Sequence, residues 1–491
     1  MKIIRHPYYP IVYVRGYAMT QAEIDATVAT PYMGFNLGST KVRQNWEGGV
    51  VRHIFESPLV RMMKDCGYED IYENGAEKQG RLPAKSIVIY RYYERADSEL
   101  GEGGAPSVID AARGLGALIL RIRDQVCGRN PDARAAFKVY LAAHSMGGLI
   151  CRCFLQNPDA GDEEARKLVD KVFTYATPHN GIEMAGLNVP GFLGIRDINN
   201  FNRGRMAEYL ALKPRDGRVD SLDGKFEPNR FFCLIGTNHK DYGAGMGASR
   251  EMSDGLVKIE NAAVRGAPRA FTYRSHSGPY GIVNSEEGYQ NMARFFFGNV
   301  RVDGVLEVDD IPLPPSVRKE FKRGKRVRAS YYFESTVSPR GAVNFKLTER
   351  RTETFSAVLR KFDDLFRPEK SGLSAPRSPV LFSAFLDTRK ITVGRSFMFS
   401  LDLRVLTTGY EIDGFLIFNR HIPGENLFRN TLAVRATPRR DEWHIRYNLT
   451  DDSWGENAGS AAEGDAKGTF IPLSSKKGFR GKLRLKISSW A

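Results

Sequence analysis

Cysteine is scarce in this sequence. The chain has five cysteines, an odd number, and none of them forms a CxxC pair. A disulfide framework needs paired cysteines, and structural zinc sites need closely spaced ones, so neither is predicted. We therefore expect a protein of a reducing compartment.

Long apolar runs are also missing. A membrane-spanning helix needs about 20 consecutive apolar residues, and no segment reaches that length. The opening MKIIRHPYYPIVYVRGY is interrupted by Arg5, His6 and Arg15, so it lacks the uniform apolar stretch of a secretory leader. The expected location is the cytoplasm, or outside the cell by a route that reads no N-terminal signal peptide.

Acidic residues are outnumbered by basic ones. The 57 Asp and Glu against 72 Lys and Arg leave a net charge of +15. Such a charge suits an anionic membrane surface, nucleic acid or simple solvation of the surface, and solvation is the favoured interpretation. The sequence has neither RNP-type aromatics nor zinc-finger spacing, so no nucleic-acid partner is predicted.

No metal or cofactor is required by the sequence. Residues with zinc or EF-hand spacing are absent, which predicts no catalytic metal. The acidic loop DDSWGEN, which begins at Asp451, leaves a structural calcium open, although a polar loop is the favoured interpretation.

The first 303 residues alternate short β-branched runs with helical stretches, a pattern typical of a mostly parallel sheet covered by helices. The predicted strands are Ile11 to Val14, Ser86 to Tyr93, Phe137 to Ala142, Lys171 to Ala176, Phe231 to Ile235 and Ala270 to Tyr273. In such sheets, ligands bind beyond the carboxyl ends of the strands. Functional side chains are therefore expected directly after these strands.

The pattern changes after residue 303. Three prolines between Asp309 and Ser316, followed by the basic run RKEFKRGKR, predict a linker over residues 304–328. Strict alternation of apolar and polar residues follows, as in Phe397 to Val405, Trp443 to Leu449 and Leu483 to Ile487. Period two indicates half-buried strands, so residues 329–491 are predicted to form an all-β sandwich domain.

The strongest chemical signal is VYLAAHSMGG, in which an apolar strand runs straight into a helical stretch. It predicts a nucleophile elbow, a strained turn that exposes Ser145 at the edge of a sheet. The turn tolerates only small residues two positions before and after the serine, and Ala143 and Gly147 meet that requirement. His144 occupies the variable position of the elbow.

These motifs resemble bacterial lipases and the lipase-like GPI-inositol deacylases of the α/β-hydrolase superfamily. The resemblance covers roughly residues 8 to 298 and rests on AHSMGGL, on PIVYVRGYAMT and on TYATPHNG. Two departures are present: Arg15 stands where the family usually has His, and Ala143 where Gly is commoner. The resemblance implies an α/β-hydrolase fold and a serine, histidine and acid acting together.

A serine hydroxyl needs a histidine to accept its proton, and that histidine should follow the last core strand. His276 in RSHSGPYG satisfies this requirement. His179 and His239, which follow earlier strands, are the alternatives. Because His179 lies beside Pro178, a structural role in a turn is the favoured interpretation for it.

The acid should lie between the serine and the histidine in chain order. Asp254 in SDGLVKIENA is preferred, because the segment resembles the Asn-Asp-Gly-Leu-Val of the bacterial lipases, with Ser253 in place of Asn. Asp241 in NHKDYG is the rival, and an ordinary Asp-Gly turn is the alternative explanation for Asp254.

Acyl transfer also needs two backbone donors for the oxyanion, normally the residue after the nucleophile and one from the loop after the first strand. These are Met146 and Tyr17. The insertion at about residues 182–230 contains GLNVPGFLGI and is predicted to form a lid that binds acyl chains and excludes water. A fixed helical cap is the alternative.

We therefore predict a carboxylic-ester hydrolase of the lipase or esterase type, with a lipid or other ester as its substrate. Phospholipids are included because the basic linker and the sandwich domain could hold the enzyme at an anionic membrane surface. An acyltransferase using the same residues and an inactive hydrolase-fold binding protein remain the alternatives. The partner of the sandwich domain is left open.

Overall fold

The computed structural model describes most of the chain. It covers residues 4, 6–16, 35, 39–44, 47–55, 57–73, 76–92, 94, 106–184, 187–188, 198–240, 252–278, 281–340, 345–349, 356–391, 396–413, 420–439, 442–450 and 459–490. The chain divides into two compact units. The first comprises residues 1–269 and 274–297, and the second residues 270–273 and 298–491.

A seven-stranded parallel sheet has its first six strands at the centre of the first unit. Its strands are β1 (Ile11–Arg15), β2 (Glu69–Asp70), β3 (Ser86–Ile89), β4 (Val139–His144), β5 (Val169–Tyr175), β6 (Phe231–Gly236) and β7 (Arg269–Thr272). Their order across the sheet is β7-β6-β5-β4-β1-β3-β2. The six strands predicted from the sequence are confirmed with small shifts at their ends. The two-residue strand β2 was not predicted, since two residues are too few to show a period.

Seven described helices and three hairpins complete this unit. The helices are α1 (Pro58–Cys66), α2 (Val108–Cys127), α3 (Pro131–Ala136), α4 (Met146–Gln156), α5 (Glu163–Lys167), α6 (Arg203–Tyr209) and α7 (Glu286–Phe297). The hairpins pair Ser39–Gln44 with Val50–Phe55, Tyr72–Glu73 with Ala76–Glu77, and Glu183–Met184 with Leu187–Asn188. Single 3-10 turns cover Pro158–Ala160, Ile198–Phe201, Pro228–Arg230 and Ile259–Asn261.

Aromatic rings hold helix α7 against the sheet. Phe296 of α7 stacks on Tyr140 of β4, with ring centroids 4.6 Å apart. Phe295 lies 5.4 Å from Phe232 of β6, which itself stacks on Phe173 of β5 at 5.0 Å. Such contacts add to the stabilisation from burial of large apolar rings. They fix the strands whose carboxyl ends carry the candidate site.

The second unit is rich in antiparallel strands. They are β8 (Val300–Asp310), β9 (Val327–Arg328), β10 (Ser330–Pro339), β11 (Leu359–Lys361), β12 (Val380–Leu386), β13 (Phe397–Thr407), β14 (Gly409–Ile412), β15 (Arg420–Pro423), β16 (Asn426–Arg439), β17 (Glu442–Leu449), β18 (Ser460–Ala461), β19 (Glu463–Asp465), β20 (Gly468–Ser474) and β21 (Arg480–Ser489). They form sheets in the orders β12-β8-β21-β20-β19, β9-β14-β15 and β11-β10-β13-β16-β17-β18. The alternating segments of the sequence are confirmed as strands β13, β17 and β21.

Two features of the second unit differ from the prediction. Residues 304–328 do not form a linker: strand β8 runs to Asp310 inside a five-stranded sheet, and helix α8 (Pro315–Lys322) follows. The alternation of Val300, Val302, Leu306 and Val308 with polar residues is typical of a strand. The prolines that follow it led to the interpretation of this segment as a linker. The unit is also not purely β, since it contains α8, α9 (Phe362–Phe366) and the 3-10 turns Pro368–Lys370 and Thr388–Lys390.

Across the described helices, none is both long enough and apolar enough to span a bilayer.

Candidate active site

Ser145 lies at the turn between strand β4 and helix α4. Its backbone angles are φ 53° and ψ −128°, a conformation that residues other than glycine rarely adopt. Its amide donates to the carbonyl of Tyr175 at 3.0 Å, and the Thr177 hydroxyl donates to the Ser145 carbonyl at 2.9 Å. These bonds from the end of β5 hold the strained turn, so its geometry depends on the neighbouring strand.

The predicted need for small residues around Ser145 has a visible cause. A Cβ atom on Gly147 would lie 2.1 Å from the carbonyl oxygen of Val14 in β1, and one on Gly148 would lie 2.3 Å from the Thr177 hydroxyl. Ala143 is fully buried where β4 pairs with β1. Larger side chains at these positions would push helix α4 away from the sheet.

The structure brings Ser145, His276 and Asp254 together. The Oγ atom of Ser145 lies 3.0 Å from Nε2 of His276, and Nδ1 of the same ring lies 2.9 Å from Oδ2 of Asp254. The three residues are 8%, 3% and 1% exposed. In the neutral state the assignment that satisfies every contact has Ser145 donating to His276 and His276 donating to Asp254.

Asp254 is fixed by its own turn. Its Oδ1 atom accepts the backbone N–H groups of Leu256 at 3.0 Å and Val257 at 2.7 Å. Its backbone carbonyl accepts the N–H of His276 at 2.9 Å. The Asp-Gly turn is therefore real, but it leaves Oδ2 aimed at the imidazole. The turn and the contact with histidine are properties of the same segment.

Helix α4 begins at Met146, directly after Ser145. The first N–H groups of a helix have no partner within it, and its positive dipole end favours a negative charge there. A Cβ atom on Gly16 would lie 2.4 Å from the Met146 nitrogen, so only glycine lets the chain after β1 pass this close. The second predicted donor, Tyr17, lies outside the described residues.

The alternative site residues have other surroundings. His179 is fully buried with its Nε2 atom 3.1 Å from the Thr174 hydroxyl. Burial first, and then the charges of Arg152 and Arg269, hold the pKa of His179 well below its usual range. His239 is partly exposed in the segment after β6. Asp241 lies outside the described residues.

The predicted lid segment is anchored at its C-terminal end. Arg152 of helix α4 is fully buried and donates to the carbonyls of His179, Val219 and Ser221 at 2.7–2.8 Å. Within the segment, helix α6 buries Met206 and Tyr209. The part from Arg203 to Leu222 thus belongs to the folded unit, while a moving lid in the remainder stays a prediction.

Two further features close to the site were not anticipated from the sequence. Nε2 of His144 lies 2.9 Å from the carbonyl oxygen of His276. Arg274 forms a buried ion pair with Glu287 of helix α7, with nitrogen to oxygen distances of 2.9 and 3.1 Å. In the sequence, His144 could have been noticed as a titratable residue beside the nucleophile, and Arg274 as an arginine two positions before the candidate base.

The described residues contain no group of three or more His, Cys, Asp or Glu side chains placed to hold a metal ion. The acidic loop at Asp451 lies outside the described residues, so a structural calcium there stays a prediction.

The parallel sheet, its strand order and the turn at Ser145 define the architecture of the α/β-hydrolase fold. No family model matches the sequence, and no curated protein is significantly similar to it. The assignment to the α/β-hydrolase fold therefore rests on the strand order and the turn at Ser145, and not on a relative identified by its sequence.

Three solved structures illustrate what the chain is similar to. The lin2722 gene product of Listeria innocua is 11% identical, with 58% of this chain and 93% of that chain covered and a TM-score of 0.26. Phospholipase PlaB from Legionella pneumophila is 12% identical over 93% of this chain and 100% of that one, at a TM-score of 0.32. A cutinase-like protein from Cryptococcus sp. is 14% identical over 60% and 96%, at 0.24. At these values, the similarities carry no argument about activity.

Proposed function

We propose that this chain is a serine hydrolase that cleaves carboxylic esters, with Ser145 as nucleophile, His276 as general base and Asp254 as the acid that orients it. The observation that carries the proposal is the continuous hydrogen-bond chain from Ser145 Oγ through the His276 ring to Asp254 Oδ2. It lies at a strained turn in front of a helix N-terminus, where an oxyanion would be stabilised.

In the acylation step, Ser145 Oγ attacks the ester carbonyl while its proton moves to Nε2 of His276. The carbonyl π electrons move to the oxygen, which accepts the Met146 N–H and the predicted N–H of Tyr17. His276 then gives the proton to the leaving alcohol oxygen as the carbon–oxygen bond breaks. Asp254 keeps Nδ1 protonated throughout and stabilises the transient imidazolium.

In the deacylation step, His276 removes a proton from water and the resulting hydroxide attacks the acyl-enzyme. The proton returns to Ser145 Oγ as the acyl group leaves as a carboxylic acid. No group beyond these side chains and water is needed for the balance of atoms and charge. An alcohol acceptor in place of water would give acyl transfer by the same residues, so product analysis separates hydrolysis from transfer.

The finer proposal is an acyl lipid substrate met at an anionic membrane surface. It is supported by the net charge of +15 and by helix α8, on which Arg318, Lys319 and Lys322 are exposed. Basic side chains near an anionic bilayer each contribute about 1 kcal/mol of attraction. In a sedimentation assay, the chain should pellet with phosphatidylserine vesicles and should stay in the supernatant with phosphatidylcholine vesicles. Equal retention by both vesicle types would contradict the electrostatic contact.

The activity is tested with p-nitrophenyl esters from acetate to palmitate on the native chain, Ser145→Ala and Ser316→Ala. Ser316→Ala is the matched control, since Ser316 lies on α8 of the second unit. A fluorophosphonate adduct on the native chain and the control, absent from Ser145→Ala, is expected together with a loss of about 10⁶-fold in kcat. Equal residual rates in all three proteins, with no adduct on any of them, would contradict Ser145 as the nucleophile. The inactive hydrolase-fold binding protein would then be the favoured alternative.

A further inference from the structure

His276 is held by hydrogen bonds at all four of its polar positions. Its ring nitrogens contact Ser145 and Asp254, as described above. Its backbone N–H donates to the Asp254 carbonyl at 2.9 Å, and its backbone carbonyl lies 2.9 Å from Nε2 of His144. His144 supplies the side-chain contact to the backbone of the candidate base.

The contact defines the protonation of His144. A carbonyl oxygen only accepts hydrogen bonds, so Nε2 of His144 must carry the hydrogen. His144 is 3% exposed, and its Nδ1 atom is buried without a hydrogen-bond partner among the described residues. Burial first, followed by the nearby charges of Arg15 and His276, holds the pKa of His144 well below its usual range. The ring is therefore a neutral donor.

The location of His144 couples the base to the nucleophile. His144 is the last residue of strand β4 and directly precedes Ser145. One rigid peptide segment thus carries both the nucleophile and the donor that fixes the backbone of His276. The two imidazole rings lie 5.1 Å apart between centroids. A neutral ring at this distance adds no repulsion when His276 gains a proton during catalysis.

We propose that His144 is a positioning residue, whose Nε2–H bond to the His276 carbonyl keeps the base in line between Ser145 and Asp254. The proposal rests on the proposed function of the same site. A displacement of about 1 Å in a reacting group can lower a rate by about 10²-fold. The elbow position that varies in the family would then have a defined task in this chain.

The first test compares His144→Gln, which retains an N–H donor, with His144→Leu, which has none. The second-order rate of fluorophosphonate labelling at Ser145 and the kcat for p-nitrophenyl butyrate are measured for both, beside the native chain. We expect His144→Leu to lower both rates by about 10- to 100-fold with little change in KM, because the base is misplaced but the substrate pocket is not. His144→Gln should stay within a few-fold of the native rates.

Two controls separate positioning from folding. His444→Leu changes an exposed histidine of β17 in the second unit and should leave both rates unchanged. Thermal unfolding midpoints show whether each variant is folded. Native rates in a folded His144→Leu, or equal losses in His144→Leu and His144→Gln, would overturn the hydrogen bond as the cause.

A second measurement needs no variant that could fail to fold. The native chain is labelled with ¹⁵N-histidine, and the ring signals of His144 are assigned by through-bond correlation. His144 should be in the neutral Nε2–H form at neutral pH. An Nδ1–H form or a protonated ring at neutral pH would overturn the proposal. A native chain that takes no adduct at Ser145 would instead overturn the proposed function itself, whatever form His144 has.

Discussion

Asp254 holds His276 at two points: its Oδ2 atom lies 2.9 Å from Nδ1 of the ring, and its backbone carbonyl accepts the His276 amide at 2.9 Å. One contact sets the tautomer and orientation of the ring, and the other sets the position of its backbone. Both residues are almost fully buried, so water does not compete for these bonds. The geometry makes the ring contact separable from the backbone contact by mutation.

Asp254→Asn should lower kcat by about 10⁴-fold, because an amide NH₂ in place of Oδ2 cannot accept the Nδ1 hydrogen and favours the wrong tautomer. The amide oxygen can still accept the N–H groups of Leu256 and Val257, so the turn should persist. Ester hydrolysis and fluorophosphonate labelling measure the effect. Asp216→Asn, at an exposed turn, is the matched control and should match the native chain. Native activity in Asp254→Asn would remove Asp254 from the mechanism.

Ser145→Gly should be more stable than Ser145→Ala, although neither should hydrolyse esters. Both lose the hydroxyl, but only glycine adopts φ 53° and ψ −128° without steric cost. Strain at such a position costs about 1–3 kcal/mol, from which the greater freedom of glycine in the unfolded chain must be subtracted. We expect a net gain of about 1 kcal/mol, measured by urea unfolding. Equal stabilities would mean that the turn relaxes when the hydroxyl is absent.

Gly147→Ala should destabilise the first unit by about 1–3 kcal/mol, the usual range for overpacking, and should reduce the labelling of Ser145. The reason is the 2.1 Å approach of the added Cβ to the Val14 carbonyl, a backbone atom that cannot rotate away. Gly372→Ala is the control, since its Cβ would meet nothing within 4 Å. Thermal unfolding together with labelling distinguishes the two. A Gly147→Ala variant as stable and reactive as Gly372→Ala would contradict the packing of α4 against β1.

Arg484→Met should loosen strand β21 in the second unit. Arg484 is 1% exposed and bonds both oxygens of Glu307 and both oxygens of Asp465 at 2.7–2.8 Å. Hydrogen exchange of peptides from β21 should become faster at neutral pH. Arg480, which also lies on β21, forms an exposed ion pair with Asp310 of β8, so Arg480→Met should change the exchange little.

The effect of Arg484→Met should also depend on pH. Its hydrogen bonds lower the pKa of Asp465 to about 2 and also lower the pKa of Glu307. A lowered carboxyl pKa contributes stability that is fully present above the unfolded pKa of about 4 and is lost as the pH falls toward the folded value. The difference in exchange between native chain and variant should therefore shrink between about pH 4 and pH 2. A constant difference would exclude the carboxylates as the cause.

Much of the architecture could be predicted because strands produce hydrophobic patterns over a few neighbouring residues of the sequence. β-branched runs marked six strands of the parallel sheet, and period-two alternation marked β13, β17 and β21. The prediction failed at residues 304–328, where the prolines that follow Asp310 were interpreted as part of a linker, although the alternation of Val300, Val302, Leu306 and Val308 precedes them. Local signals conflict at such places, and only pairing with β12 and β21 decides between them.

The sequence by itself determined the strand, the turn and the helix around Ser145, because small residues on both sides of a serine and an apolar run before it act within ten residues. It also narrowed the partners of Ser145 to a few histidines and aspartates. Only the tertiary structure decided that His276 contacts both Ser145 and Asp254, and that His144 contacts the backbone of His276 across 132 residues of chain. Hydrogen bonds require alignment within a few tenths of an ångström, which the packing of distant strands sets and no spacing in the sequence specifies.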